Sequence, residues 1–106
     1  MGTYLNDIKA SVELTGSGRL QGLIAGSATN LGPIRIISIN AHLTGADGEI
    51  TIQDSTAASG DIKIHLKGGS ASNDTLNFNF GGNGVYFGTG AYVTLAAIDS
   101  FTAYYG

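Results

Sequence analysis

The feature that most constrains this chain is the way its apolar residues recur at every second position, in short runs cut by glycine-bearing turns, with no helical period of useful length. Strands result. The clearest stretch is Leu76 to Tyr105, which holds most of the aromatic residues. It reads as a β-meander: joining Phe80 to Val85 across Gly81-Gly82-Asn83-Gly84 sets Phe78 opposite Phe87 inside and Asn79 opposite Tyr86 outside. The turn Gly88-Thr89-Gly90 then sets Phe87 opposite Ala91 and Val85 opposite Val93, with Tyr86 beside Tyr92 outside. The expected inner face is Phe78, Phe80, Val85, Phe87, Val93 and Leu95. After Ala96 to Asp99, where one helical turn is the most that fits, a last strand carries Phe101, Ala103 and Tyr105 on one face and Thr102 and Tyr104 on the other.

Upstream, Ile8, Ala10, Val12 and Leu14 alternate with Lys9, Ser11 and Glu13, as in a half-buried strand. The turn cluster Thr15-Gly16-Ser17-Gly18 leads to a less regular strand over Arg19 to Ala25, giving a hairpin, and Gly26 to Pro33 reads as a loop. In Ile34 to Leu43 the apolar parity switches between Ile36 and Ile37, which calls for a bulge or for burial on both faces. Glu49 to Gln53 and Asp61 to Leu66 form a hairpin if Ile52 pairs with Ile62 and Ile50 with Ile64, with Lys63, His65 and Lys67 outside. Gly68 to Asn73 is a polar connector. The count is eight or nine short strands in one domain over residues 1–106. Such a set closes as an antiparallel β-sandwich, jelly-roll-like, because an open sheet of that size would leave its apolar face wet.

Composition narrows the function. Cysteine is absent, which removes disulfides, thiolate metal sites and a cysteine nucleophile. The net charge is −3 and the five basic residues are scattered, so nucleic acid is not an expected partner. Charged residues make up only 12% of the chain, which leaves a neutral polar surface of the sort that other copies or partners cover, or that a sparsely charged monomer shows. No run approaches the ~20 apolar residues of a membrane-spanning helix, and the N-terminal MGTYLNDIKA has no signal-peptide pattern. A soluble protein with no membrane partner is expected. Asn73-Asp74-Thr75 matches the N-glycosylation triplet but without a signal peptide reads as chance.

Chemistry is hard to find. His42 and His65 are the only histidines; His65 lies between Lys63 and Lys67 on an outward face, and no Ser-His-Asp motif or nucleophile elbow can be assembled. Histidine-bound metal lacks further ligands at fitting spacing. Asp47 with Glu49, and Asp54 with Asp61, stand in or beside polar loops where calcium is conceivable, but no calcium-loop pattern is present and aspartates in turns usually bond their own backbone. Gly82, Gly84, Gly88 and Gly90 miss the dinucleotide fingerprint because Phe87 occupies the third glycine position. No catalytic residue, metal or cofactor is expected. The outward tyrosines Tyr86, Tyr92 and Tyr104, with Tyr4 near the N-terminus, are the candidate interface, against the plainer reading of ordinary cross-strand pairs.

Four segments carry a resemblance: Ser17-Gly18-Arg19-Leu20; Ile50-Thr51-Ile52-Gln53-Asp54 with its Ser/Ala/Gly loop; Gly84-Val85-Tyr86-Phe87-Gly88-Thr89-Gly90-Ala91-Tyr92-Val93-Thr94-Leu95; and Ser100-Phe101-Thr102-Ala103-Tyr104-Tyr105. Together the arrangement resembles small structural proteins of tailed-bacteriophage virions. The resemblance implies a jelly-roll-like capsid decoration or cement protein, a homotrimer bound to the major capsid protein or other virion proteins, made in the host cytoplasm and located in the virion. A tail or fibre component is the alternative it leaves open. From a different class, a non-catalytic carbohydrate-binding module using tyrosines and Asn/Asp loops also fits the residues.

Overall fold

The computed structural model describes residues 8–68 and 74–106. Among them are eleven strands: β1 (Lys9–Ala10), β2 (Gly18–Arg19), β3 (Gln21–Ile24), β4 (Ser27–Asn30), β5 (Ile34–Leu43), β6 (Gly48–Asp54), β7 (Asp61–Gly68), β8 (Thr75–Asn79), β9 (Val85–Phe87), β10 (Ala91–Ala96) and β11 (Ile98–Tyr105). All pairings are antiparallel. One sheet runs β1-β11-β5-β8, with β9 also on β5; a second runs β2-β10-β6-β7; β3 and β4 stand apart as a hairpin.

The connectivity identifies the architecture. Setting aside β3, β4 and β9, eight framework strands pair in a nested order: first with last (β1·β11), then β2·β10, β5·β8 and β6·β7, with successive pairs falling in alternate sheets. A long antiparallel hairpin rolled in this way is a jelly-roll sandwich. Apolar residues at alternate positions of both sheets fill the space between them, with Phe87, Phe101, Leu20, Ile36, Ile39, Leu43, Ile50, Ile52 and Val93 fully buried.

Strand β5 shows how sequence parity becomes shape. Ile34 and Ile36 are buried, then Ile39, Ala41 and Leu43, so the inward set changes parity at Ile37 and Ser38. The cause is a bulge: Tyr104 stands opposite Ser38 and Tyr105 opposite Ile36, leaving Ile37 as the extra residue. At the same point β5 changes its other neighbour, pairing with β8 over 38–42 and with β9 over 34–36, and the Ile37 carbonyl accepts the Phe80 N–H at 2.8 Å.

Four expectations need correction. Leu76 to Tyr105 is not a meander, because β8 and β9 both lie along β5 rather than on each other, and β9 and β10 belong to different sheets. Glycine turns permit a reversal within a sheet or a crossing between sheets, and burial of the core decided for the crossing. The expected inner set holds nevertheless: Phe87 and Val93 are buried, and Phe78, Phe80, Val85 and Leu95 pack against the core. Secondly, β6 and β7 do pair, but Ile52 faces Ile64 and Ile50 faces Leu66; a register shift next to Ile52 turns Ile62 outward, 59% exposed. Thirdly, residues 8–14 and 19–25 make no hairpin. β1 pairs with β11, β2 pairs with β10, and β3 turns back on β4, a strand where a loop was expected. Finally, Ile8 and Ala10 are exposed and Ser11 is buried, the reverse of the expected face, although further along Leu14 packs against the core and Glu13 is exposed as expected. Ala96 to Ser100 forms no helical turn; Ala97, with φ of 57°, breaks the chain between β10 and β11. Tyr4, Asn73 and most of the Gly68 to Asn73 connector lie outside the described residues.

Candidate functional site

The three candidate tyrosines do not form one cluster. Tyr86 is on β9, 47% exposed, opposite Arg35, whose guanidinium lies 5.1 Å from the ring centroid. Tyr104 is on β11 opposite Ser38, half-buried on the outer face of the same sheet. Tyr92 is on β10, half-buried between Arg19 and Gln53 on the outer face of the other sheet. The expected neighbour relation of Tyr86 and Tyr92 fails because the Gly88-Thr89-Gly90 corner carries the chain from one sheet to the other.

That corner is held by Asp54 at the end of β6. Its carboxylate accepts the N–H groups of Gly88 at 3.1 Å and Thr89 at 2.8 Å, and the next residue, Ser55, donates its N–H to the Gly90 carbonyl at 3.1 Å. The Thr89 N–H, then those of Gly88 and Gly90 and the nearby Lys63 charge, hold the Asp54 carboxyl below its ordinary range against the opposing effect of desolvation. With both oxygens so used, Asp54 is a clamp on the corner.

The outer face of the β1-β11-β5-β8 sheet carries a different arrangement. Rows of short polar side chains cross it: Ser100, His42 and Thr75 in one, Thr102, Asn40 and Asn77 in the next, and Tyr104, Ser38 and Asn79 in a third. A hollow of about 240 Å³ opens there, lined by Glu13, Asn40, Ala41, His42, Thr75, Ser100 and Thr102. His42 Nδ1 is 2.8 Å from Asp99 Oδ1, and the Ser100 hydroxyl donates to Glu13 Oε2 at 2.9 Å. Pairing of β5 with β11, and the bridge between Leu14 and Phe101, thus set two side-chain pairs, His42–Asp99 and Ser100–Glu13, beside the hollow from positions up to 87 residues apart, a convergence no short motif could reveal. The serine proton goes to Glu13, so the geometry is not that of a serine nucleophile activated by histidine. The Asn40 Oδ1 acceptor is buried and has no hydrogen-bond partner.

His65, the other histidine, faces outward on β7 and its Nε2 bonds to Glu49 across the strand pair. This hydrogen bond is the main reason the Glu49 carboxyl lies below its ordinary value; desolvation opposes it, and attraction to His65 and Lys67 adds. Among the described residues, no three His, Asp or Glu side chains gather as a metal would require.

Comparison of the chain with protein-family models, with curated proteins and with solved structures finds no match. The class is therefore defined by the fold alone: an all-β, antiparallel jelly-roll sandwich.

Proposed function

We propose that this chain is a structural protein of a tailed-bacteriophage virion, a capsid decoration or cement protein that binds the outer shell as a homo-oligomer, trimeric in the type it resembles. One observation carries the reading beyond the resemblance. The broad outer face formed by β5, β8 and β11 offers short, neutral, hydrogen-bonding side chains such as Ser38, Asn40, Asn77 and Thr102 instead of a charged, solvated surface. Neutral polar side chains cost less to desolvate than charges where neighbouring chains replace their hydrogen bonds, which suits a protein that works by being packed in an assembly. Jelly rolls serve virion proteins and lectins alike, so the fold does not select between them.

Electron cryo-microscopy of particles from the source tests the proposal. Density for the jelly roll on the head exterior is expected; density on the tail moves the assignment to the tail or fibre alternative, and absence from head and tail removes it. The hollow whose lining includes the donors and acceptors of Glu13, Asn40, His42, Ser100 and Thr102 supports a second reading as a non-catalytic carbohydrate-binding module. A glycan array probed with the wild-type chain and with Asn40→Ala decides that point: silence of both, with and without calcium, eliminates it.

A further inference from the structure

The molecule has two unlike poles. At one, β11 ends at Tyr105, β5 begins, and the corners at Gly88–Gly90 and Asp54–Asp61 meet the base of the β3-β4 hairpin. All five large apolar side chains exposed among the described residues are here: Ile8, Leu23, Ile24, Ile62 and Tyr86, between 47% and 66% exposed. Ile8 precedes Lys9, which pairs with Tyr105; Tyr86 faces Arg35, which exchanges backbone bonds with Gly106; Ile62 follows Asp61, which faces Asp54. Leu23 and Ile24 lie on the hairpin, which reverses through Ala25 and Gly26, both with positive φ as a two-residue primed turn requires. From Leu20 to Ile34 there is no charged residue.

Charge is divided the same way. Among the described residues, Lys9, Arg19, Arg35 and Lys63 are at the apolar pole with Asp54 and Asp61, four cations against two carboxylates. The opposite pole, where β5 ends and β11 begins, carries Glu13, Asp47, Glu49, Asp74 and Asp99 with Lys67, five carboxylates against one cation. Exposed apolar side chains set among cations at one end of an otherwise acidic body define an oriented docking face.

From this complementarity we infer that the hairpin pole docks on an unlike protein whose surface presents an apolar patch ringed by carboxylates. A second copy supplies no such surface, since its far pole is acidic but has no exposed large apolar side chain among the described residues, and its near pole carries twice as many cations as carboxylates among those residues. A lipid bilayer leaves the hairpin edge unpaired. The Gln21 carbonyl turns away from β4 to accept the Val12 N–H at 2.8 Å, so by antiparallel alternation Ala28 and Asn30 turn their N–H and C=O groups away from β3. In solution water satisfies these exposed groups, and on docking a hydrogen-bonding partner can replace it where lipid tails cannot. Four cations interrupted by two carboxylates do not make the basic stripe that a phosphate backbone needs. Identifying the partner with the capsid shell rests on the virion reading; the partner's chemistry rests on the pole.

The test places a photo-crosslinking residue at Leu23, at Ile62, or at the exposed control position Thr94 in the full chain, in the cells or particles that naturally contain it. Leu23 and Ile62 are expected to cross-link to one and the same unlike protein, within a segment rich in Asp and Glu, and Thr94 is not. Lys63→Glu, alone and combined with Arg35→Glu, is expected to lower retention on that partner tenfold or more at low salt, in a chain that still folds but melts somewhat lower because Lys63 supports the Asp54 corner and Arg35 packs on Tyr86. Cross-links to another copy, to lipid, equally from Thr94, or none from the pole overturn the inference, as does retention indifferent to charge reversal. The two readings fail separately. A shared acidic partner outside any virion defeats the virion reading and leaves the pole standing; virion contacts that run only through Thr94 do the reverse.

Discussion

Ser11 illustrates how one side chain can decide a local register. Its N–H donates to the Ala103 carbonyl at 2.7 Å and its hydroxyl accepts the Ala103 N–H at 2.9 Å, so both polar groups of a buried residue are satisfied by one partner. Ser11→Ala leaves the Ala103 N–H without an acceptor in the core and is expected to cost about 1–3 kcal/mol. A urea midpoint unchanged from wild type would show that water replaces the hydroxyl. Gly84 makes the complementary point about space. It has φ of +65°, and an added Cβ would lie 2.5 Å from the Ile36 carbonyl oxygen and 2.8 Å from Ile37 Cδ1. Gly84→Ala combines left-handed strain with overpacking against backbone, and a loss of about 2–4 kcal/mol is expected in equilibrium unfolding. A change below about 0.5 kcal/mol, the range of an innocuous surface substitution, would mean that the start of β9 shifts freely.

Strand pairs divide what could be read beforehand from what could not. Along β6 and β7, alternation identified both strands and the inward Ile50, Ile52 and Ile64, yet it also placed Ile62 inside. The shift next to Ile52 is invisible to a period-two rule, which assumes one residue opposite one. The difference can be measured: Ile64→Ala should cost about 2–5 kcal/mol as a core truncation, whereas Ile62→Thr should stay within about 0.5 kcal/mol. Similar costs at both positions in thermal melts would favour the unshifted register. The bulge at Ile37 was legible because a parity change occurs within a single unbroken run. Partner choice was not, since glycine turns at Gly81–Gly84 and Gly88–Gly90 are compatible with reversal or with crossing, and only the demand for two covered sheets separates them. The tyrosines were correctly placed outward but wrongly grouped, for the same reason. The pairs His42–Asp99 and Ser100–Glu13 escaped notice because the first meets only through the pairing of the last strand with the fifth and the second only through the bridge between Leu14 and Phe101.

For the molecule as a whole, the sandwich depends on corners as well as on its core, and the Asp54 corner makes that dependence sensitive to acid. Asp54 belongs to the β2-β10-β6-β7 sheet, while the turn it grips, Gly88–Thr89, leads out of β9 in the opposing sheet. Its folded-state pKa is depressed below the ordinary 3.8, so the unfolded chain takes up its proton first as pH falls. The stabilisation is therefore fully present above the unfolded value and is lost as pH drops through the lower folded value. Glu49, depressed by its bond to His65, contributes in the same sense from an ordinary value of 4.5, but it lies within one sheet and ties nothing across the sandwich. Urea unfolding should thus give a stability curve that is level from about pH 7 to 5 and declines below, since carboxylates hydrogen-bonded in the native state resist protonation there. Asp54→Asn keeps the shape of the side chain but loses one charge-assisted acceptor; it should be less stable at neutral pH by about 1–3 kcal/mol and decline less steeply in acid. Glu49→Gln should change the slope while leaving the β9-β10 corner intact, seen as unaltered amide exchange at Gly88 and Thr89. If Asp54→Asn follows the wild-type curve in parallel below pH 5, the corner is held by the Ser55–Gly90 backbone bond, and the carboxylate only decorates it.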